Sequence, residues 1–384
     1  MTRPRTVLYV HGTSEIGGAD VCLLRMAGGL DPGRYRPVAL LPERGQLAPR
    51  LEAAGVRVVT HPMVQLRSTR DPGYQARYVV RFSRTVRELS GVVAREGADL
   101  VHSNSLYCLY GAWAARRAGV PHVWHVRELP GNPRPVAFGL TRAAPRLSRR
   151  VLAVSDAVRA LFDGDPRVQT FYDGVDLGAY GEGGAVVRAE LGIPAGAPLV
   201  GWIGRLDPWK GADVFVRAAA EVAAGDPGAH FLLCGGALPG YPDHAREVRR
   251  LAGDLGLAGR LHFGDWEYGP ERIPAVLDAV DVLVHTSVEP EPFGLVLVEA
   301  MAASRPVVAV GSGGVPEIVV DGSTGDLVGP GDWEGTAAAI GRLLADPERA
   351  RRMGAAGRLR AEEQFDVSRS LARLQATYDA VLQS

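Results

Sequence analysis

Of the 43 basic residues in the chain, one is a lysine, Lys210, in the stretch GRLDPWKG. Lys210 and Arg205 follow the strand-like run PLVGWIG, in a turn marked by Pro208 and Gly211, and a helical pattern begins close behind. Two cations beside a helix N-terminus form an anion site, because free N–H groups and the helix dipole add to the side-chain charge. A phosphate-rich ligand suits such a site. Solvated loop cations are the plainer reading, but lysine is a compact point charge on a flexible stem and arginine a planar fork. A single lysine kept among arginines therefore points to one oxygen that has to be reached.

The second chemical stretch is EPFGLVLVEAMAA, in which every residue from Phe293 to Ala303 is apolar or small except Glu299. That composition predicts a buried helix starting near Phe293, and a carboxylate inside it needs donors. Glu291 stands eight residues earlier, beside the N–H groups of Phe293, Gly294 and Leu295. At the rise of a helix the two carboxylates lie roughly 10 Å apart, which suits the two ends of a nucleotide sugar. Asp163-Gly164-Asp165 has the D-x-D form of some metal–diphosphate sites. Its setting, ALFDGDPRVQ, reads as a helix end and a turn.

Taken in order, these pieces resemble the retaining glycosyltransferases of the two-Rossmann-domain (GT-B) type, family 4-like, also described as glycosyl transferases group 1. The resemblance rests on the early Gly17-Gly18 turn, SDAVR at 155–159, YDGVD at 172–176, the Arg205/Lys210 loop and the Glu291/Glu299 pair. The segment GGVPEIVVDGSTGDLV at 313–328 completes the set. It implies that Arg205 and Lys210 hold a donor diphosphate and that Glu299 binds ribose hydroxyls. Glu291 with the N–H groups of Phe293, Gly294 and Leu295 would hold the transferred sugar, and Gly17 and Gly18 would lie over the phosphates. It further implies a histidine in the first domain near that sugar. His125 in PHVWHVRE is the best match, with His122, His102 and His11 as competitors and Arg127 or Glu128 as alternatives for its place. Front-face attack without a covalent intermediate is implied as well. No metal and no cofactor are called for, since the nucleotide sugar is a substrate, with a UDP-linked donor favoured over a GDP-linked one.

The acceptor side is drawn more broadly: Asp20, Arg77, Arg81, Arg127 and Glu128 are its candidates. Arg77 and Arg81 belong to an arginine-rich stretch at 67–89, and a second basic stretch spans 133–150. Such helices can grip a phosphorylated acceptor, rest on anionic lipid, or be solvated faces. The acceptor is accordingly a saccharide, an aglycone or a lipid-linked molecule. Nucleic acid is not expected, because no recognition motif accompanies the charge.

These residues need a scaffold, and the chain supplies one with 46% hydrophobic and 22% charged residues over 384 positions, enough for two domains. Runs such as VLYVHG, VRVVTH, LVHSN, PHVWHV and RVLAVS alternate with helical patterns, and after residues 177–187 the alternation restarts with PLVGWIG, HFLLCGG, RLHFGD, DVLVHTS and RPVVAVG. Two doubly wound α/β units with parallel sheets, facing across a cleft, are expected. Their bounds are 1–180 for acceptor binding and 185–365 for donor binding, with 366–384 a helix crossing back. Residues 1–184 hold 25 arginines against 16 acids, and residues 185–384 hold 18 cations against 27 acids. The basic half should attract an anionic partner.

Several function classes recede. No apolar run is long enough to span a bilayer and no signal-peptide pattern opens the chain, so a cytoplasmic protein, or one peripheral to a membrane, is expected. Cys22, Cys108 and Cys234 are too scattered for a disulfide framework or a zinc site. HGTSEIGGAD lacks the ordered G-x-G-x-x-G of a dehydrogenase. A nucleotide-sugar epimerase on the same double fold, or a non-catalytic nucleotide-sugar binder, are the rivals.

Overall fold

A computed structural model describes all residues except 1–2, 67–70, 131–133, 237–240, 242, 265–270 and 384. The first residues of both basic stretches therefore lie outside the described part. The chain divides into two compact units. One comprises residues up to Gly174 together with the segment from Val367, and the other runs from Val175 to Asp366.

The first unit has seven strands: β1 (Arg5–Val10), β2 (Tyr35–Leu41), β3 (Arg57–Thr60), β4 (Leu100–Ser103), β5 (His122–Val126), β6 (Arg150–Ala153) and β7 (Val168–Thr170). All pair in parallel, in the order β3-β2-β1-β4-β5-β6-β7. Helices α1 (Gly18–Gly28), α2 (Leu47–Ala53), α3 (Pro72–Arg95), α4 (Leu109–Ala118), α5 (Arg134–Leu147) and α6 (Asp156–Arg159) connect them. A parallel sheet is buried on both faces, so its strands are unbroken apolar runs; Val7, Leu8 and Tyr9 are all fully buried. Right-handed crossovers put α1 and α2 on one side of the sheet and α3, α4 and α5 on the other. Two separate cores follow, one under α1 and α2 and one under α3 and α4.

The second unit has β8 (Leu199–Ile203), β9 (His230–Cys234), β10 (Leu261–Gly264), β11 (Val282–His285), β12 (Val307–Val310) and β13 (Gly325–Val328), ordered β10-β9-β8-β11-β12-β13 and again parallel. Its helices are α7 (Gly184–Glu190), α8 (Ala212–Gly225), α9 (His244–Asp254), α10 (Ile273–Ala279), α11 (Leu295–Ala302), α12 (Val315–Ile318), α13 (Trp333–Ala345) and α14 (Pro347–Gln364). The glycine-rich stretch at 177–187 does not act as a bare linker. The chain enters this unit at Val175 and turns through Leu177–Ala179. Gly184 then opens α7, where a Cβ would stand 2.5 Å from the Asp278 backbone, so close packing rather than flexibility explains that glycine.

The last helix, α15 (Val367–Gln383), belongs to the first unit. Tyr378 anchors it: its hydroxyl bonds to Tyr9 Oη at 3.0 Å and to His102 Nδ1 at 2.7 Å. Tyr35 Oη meets Asp379 at 2.6 Å on the same helix. Cys22, Cys108 and Cys234 are buried free thiols, and no described helix is long and apolar enough to cross a membrane.

Three histidines are buried in this first sheet. Burial pushes His122 down to about 3 and holds His102 and His125 well below the usual imidazole range. A histidine held neutral stabilises fully above its unfolded value near 6.5 and loses that contribution as pH falls toward the folded value. The midpoint of thermal unfolding should therefore drop between pH 7 and pH 4. The slope is bounded by about 1.4 kcal/mol per pH unit for each buried imidazole; a midpoint independent of pH over that interval would contradict the assignment.

Candidate functional site

In each sheet the strand order reverses once, and the crevice outside the carboxyl ends at that reversal is where open α/β sheets accept ligands. In the second unit the reversal lies between β8 and β11. The loop after β8 forms a short turn, Pro208–Lys210, and Gly211 passes into α8 with a left-handed φ of +67°. A Cβ on Gly211 would fall 2.1 Å from Thr286 O, so only glycine lets the two strand ends approach. Thr286 closes the join: its hydroxyl donates to Gly211 O at 2.7 Å and accepts from Trp202 Nε1 at 2.9 Å.

That approach brings Lys210 onto Glu291. Lys210 Nζ donates to Glu291 Oε2 at 2.6 Å, joined on the same oxygen by Ser287 Oγ at 3.0 Å and His285 Nε2 at 3.1 Å. No hydrogen bond among the described residues uses Glu291 Oε1. Burial alone would raise this carboxyl, but the Lys210 charge, with the His285 bond behind it, holds it well below the usual carboxylate range. The Glu291 backbone is pinned by Gly314, whose N–H donates to Glu291 O at 2.8 Å, and by the left-handed Gly313, where a Cβ would stand 2.1 Å from the same oxygen. The GGVPE segment thus clamps the glutamate. Trp209 lies beneath both cations, its ring centroid 4.2 Å from Lys210 Nζ and 5.7 Å from Arg205 Cζ. Arg205 itself pairs with buried Asp207 at 3.1 Å.

Helix α11 starts at Leu295 rather than Phe293, because Gly294 caps it with a φ of +105° that the residues around it would not adopt. Its first-turn N–H groups have no acceptor within the helix, and Glu299 lies buried one turn further on.

In the first unit the reversal lies between β1 and β4. Gly17 is the extended N-cap of α1 and Gly18 its first residue. Asp20 accepts from His11 Nε2 and Thr13 Oγ1, each at 2.6 Å, and from Gly17 N at 2.8 Å. Burial works to raise its carboxyl, but these bonds, led by His11, hold it below the usual range. Asn104, just past β4, reaches His11 Nδ1 at 3.2 Å and accepts from Arg127 Nε at 2.8 Å. Arg127 also forms a buried pair with Asp173.

The structure corrects the placement of His125. It does not follow a strand but lies inside β5, fully buried, with its ring edge-on to His102 and Phe171. Packed between those two rings, it presents no surface to solvent in this structure. His11 is the histidine that the fold brings to the reversal. Glu128 also turns inward, accepting from Ser105 Oγ, from Leu106 N at 2.9 Å and from Arg127 N at 3.0 Å, so it closes its own loop. Arg77 and Arg81 are exposed on α3 and are not gathered with this cluster. Asp163 and Asp165 form a turn: Asp163 has a left-handed φ of +51°, and Arg167 binds Asp165 through Nη2 at 2.7 Å, holding that carboxyl at about 2.

Sequence reading missed His285 and Ser287. The signal was available in VHTSVEPE, where polar residues end an otherwise apolar strand. Removing Lys210 leaves a carboxylate that is 10% exposed without its cation. We expect Lys210→Met to cost about 1–3 kcal/mol in denaturant unfolding, and Glu291→Gln added to it to recover part of that loss. Equal and additive costs would show that the pair carries no coupling.

Comparison with known proteins agrees along nearly the whole chain. Residues 186–360 match the family described as Glycosyl transferases group 1, and residues 16–179 match Glycosyltransferase Family 4. The D-inositol 3-phosphate glycosyltransferase of Nocardia farcinica is 33% identical over 91% of this chain and 83% of its own length. The alpha-maltose-1-phosphate synthase of Mycolicibacterium smegmatis is 37% identical over 72% of this chain and 78% of its own. The crystal structure of Anabaena HepE in complex with UDP and glucose superimposes with a TM-score of 0.81 at 28% identity, covering 97% of this chain and 99% of that one. Sucrose-phosphate synthase from Thermosynechococcus elongatus shares the fold, with a TM-score of 0.80 at 23% identity over 99% of each chain. With its two parallel-sheet α/β units, the chain belongs to the family 4, group 1 glycosyltransferases of the GT-B type.

Proposed function

We propose that this glycosyltransferase moves a hexosyl group, with retention of configuration, from a UDP-linked donor held by the second unit to an acceptor hydroxyl held mainly by the first. The observation that carries the reading is the convergence of Lys210, Arg205 and Glu291 at the strand-order reversal of the second unit. Anabaena HepE, similar over nearly the full chain, has been crystallised with UDP, with UDP and glucose, and with UDP-glucose, which supports the uridine donor.

On donor binding Lys210 exchanges the Glu291 oxygen for a diphosphate oxygen, and Arg205 adds a second charge. Glu291 Oε1, which takes no bond among the described residues, then accepts from sugar hydroxyls, while the N–H groups of Phe293, Gly294 and Leu295 approach the sugar and Glu299 the ribose. The acceptor hydroxyl attacks the anomeric carbon on the face that the diphosphate leaves. The bond from that carbon to the phosphate oxygen breaks, and the hydroxyl proton passes to the departing diphosphate. Negative charge grows on the leaving group during this step, so Lys210 and Arg205 stabilise the transition state more than the ground state. These cations do the work that a divalent ion would otherwise do.

On the acceptor side, His11 with Asp20, backed by Asn104 and Arg127, lines the reversal of the first sheet. The names of two relatives, an inositol 3-phosphate glycosyltransferase and a maltose-1-phosphate synthase, contain phosphorylated polyols or sugars. They support a saccharide or phosphorylated polyol acceptor in an arginine-rich unit.

Thermal stabilisation by a panel of UDP- and GDP-sugars in EDTA tests the donor assignment. We expect one uridine donor to raise the midpoint without metal, and stabilisation that requires added Mg²⁺ or Mn²⁺ would refute the metal-independent reading. Lys210→Ala should lower kcat/KM about 10²–10³-fold, with Lys210→Arg recovering part of it. Proton NMR of the first-formed product should show the donor's anomeric configuration; an inverted product would exclude front-face transfer.

A further inference from the structure

The two helix layers of the first unit differ in chemistry. Every large apolar side chain that is exposed in this unit, among the described residues, lies on α3, α4 or α5: Val79, Val80, Trp113, Val136 and Phe138. Val80 is 78% exposed and Phe138 58%. These three helices carry ten arginines and a single carboxylate, Glu88. The layer on the other side of the same sheet, α1, α2 and α15, carries four arginines against three acids and exposes no large apolar side chain. An arginine-rich composition alone would enrich both layers equally.

The side chains on α3–α5 are also arranged as an amphipathic surface. Phe82 of α3 meets Trp113 of α4 edge to face, with ring centroids 6.4 Å apart, so the two helices present one continuous strip. Arg142 lies over the ring of Phe138 at 4.3 Å. Arg116 and Arg117 are exposed at the end of α4. Glu88 is occupied by Arg84 at 2.9 Å and His61 at 3.2 Å.

We infer that the α3–α4–α5 face docks on an anionic lipid surface. Scattered valines and aromatic rings enter the boundary between headgroups and acyl chains, and the guanidinium groups between them meet lipid phosphates. The charge is of one sign, so the same face of a second copy is repelled rather than bound. The inference concerns a surface away from the Lys210–Glu291 site and stands independently of the donor assignment.

Co-sedimentation with vesicles of phosphatidylcholine, with and without phosphatidylglycerol, tests it. Binding should be at least tenfold stronger to the anionic vesicles and should weaken with added salt. Each arginine contributes about fivefold to partitioning, so Arg116→Glu with Arg117→Glu should reduce binding by more than twentyfold. Val80→Ser with Phe138→Ser should reduce it at every salt concentration. Far-ultraviolet circular dichroism and the thermal unfolding midpoint of the same variants report that the first unit, which carries the substitutions, is intact. Equal binding to both vesicle types, or anionic binding unchanged in both double variants, overturns the inference. It is also overturned if the protein ignores vesicles and instead forms a concentration-dependent dimer that either double variant abolishes, since a second copy is then the partner.

Discussion

Glu291 is a carboxylate taken almost wholly out of water, and everything around it answers the cost of that burial. A lone buried charge is expensive unless it is paired and hydrogen-bonded. Lysine, serine and histidine meet that need on one oxygen, Oε2. The backbone permits this because glycines stand at the two close approaches, Gly211 against Thr286 O and Gly313 against Glu291 O. The order of strands puts the ends of β8 and β11 side by side, and the glycines let their loops touch. The ion pair is therefore a product of topology and local conformation together. The proposed chemistry uses the same pair, since a cation that already has a carboxylate partner can change to a phosphate without ever lacking one.

The first unit solves a similar problem with different groups. Asp20 is held by imidazole, hydroxyl and backbone N–H, and the chain of bonds continues through Asn104 to Arg127 and Asp173. Such a network stiffens the loops after β1, β4 and β5 relative to one another, because each member gives up bonds if its neighbour moves. Helix α15 strengthens the same sheet from below its surface layer: the Tyr378 hydroxyl reaches Tyr9 and His102 in the core. The end of the chain is thereby part of the first unit's interior.

The fold class could be read from the sequence because parallel strands buried on both faces are uninterrupted apolar runs, and glycine or proline marks their ends. The strands that were not read show the limit of that signal. Strand β2, YRPVALL, begins with polar residues and a proline, β7 is only three residues long, and β13, GDLV, opens on glycine and aspartate with two apolar residues behind them. The site was legible where one residue type was rare, as with Lys210, or out of place, as with Glu299 in an apolar helix. It was not legible where the deciding quantity was orientation. His125 and His11 both stand near strand ends in the sequence and both are buried, but the first packs against His102 and Phe171 while the β1 loop carries the second to the reversal, against Asp20. Likewise, nothing in the spacing of 177–187 distinguishes a flexible glycine from one packed 2.5 Å from a neighbouring backbone.

A lysine and an arginine would act differently at position 210. The Lys210 ammonium lies over the Trp209 ring, 4.2 Å from the centroid, and against one Glu291 oxygen at 2.6 Å, so that its contact with the carboxylate is with a single atom. A guanidinium is wider and planar, with donors set in a fork that matches both oxygens of a carboxylate. Placed here it would tend to engage Oε1 as well as Oε2 and so occupy the atom that the proposed mechanism leaves for the sugar. It would also hold the carboxylate more tightly in the bidentate form, which makes the exchange to diphosphate harder. Arg205 does not face this constraint, because its partner Asp207 is a separate carboxylate two residues away. On this reasoning the lysine is kept because a point charge can hold Glu291 by one oxygen and then release it.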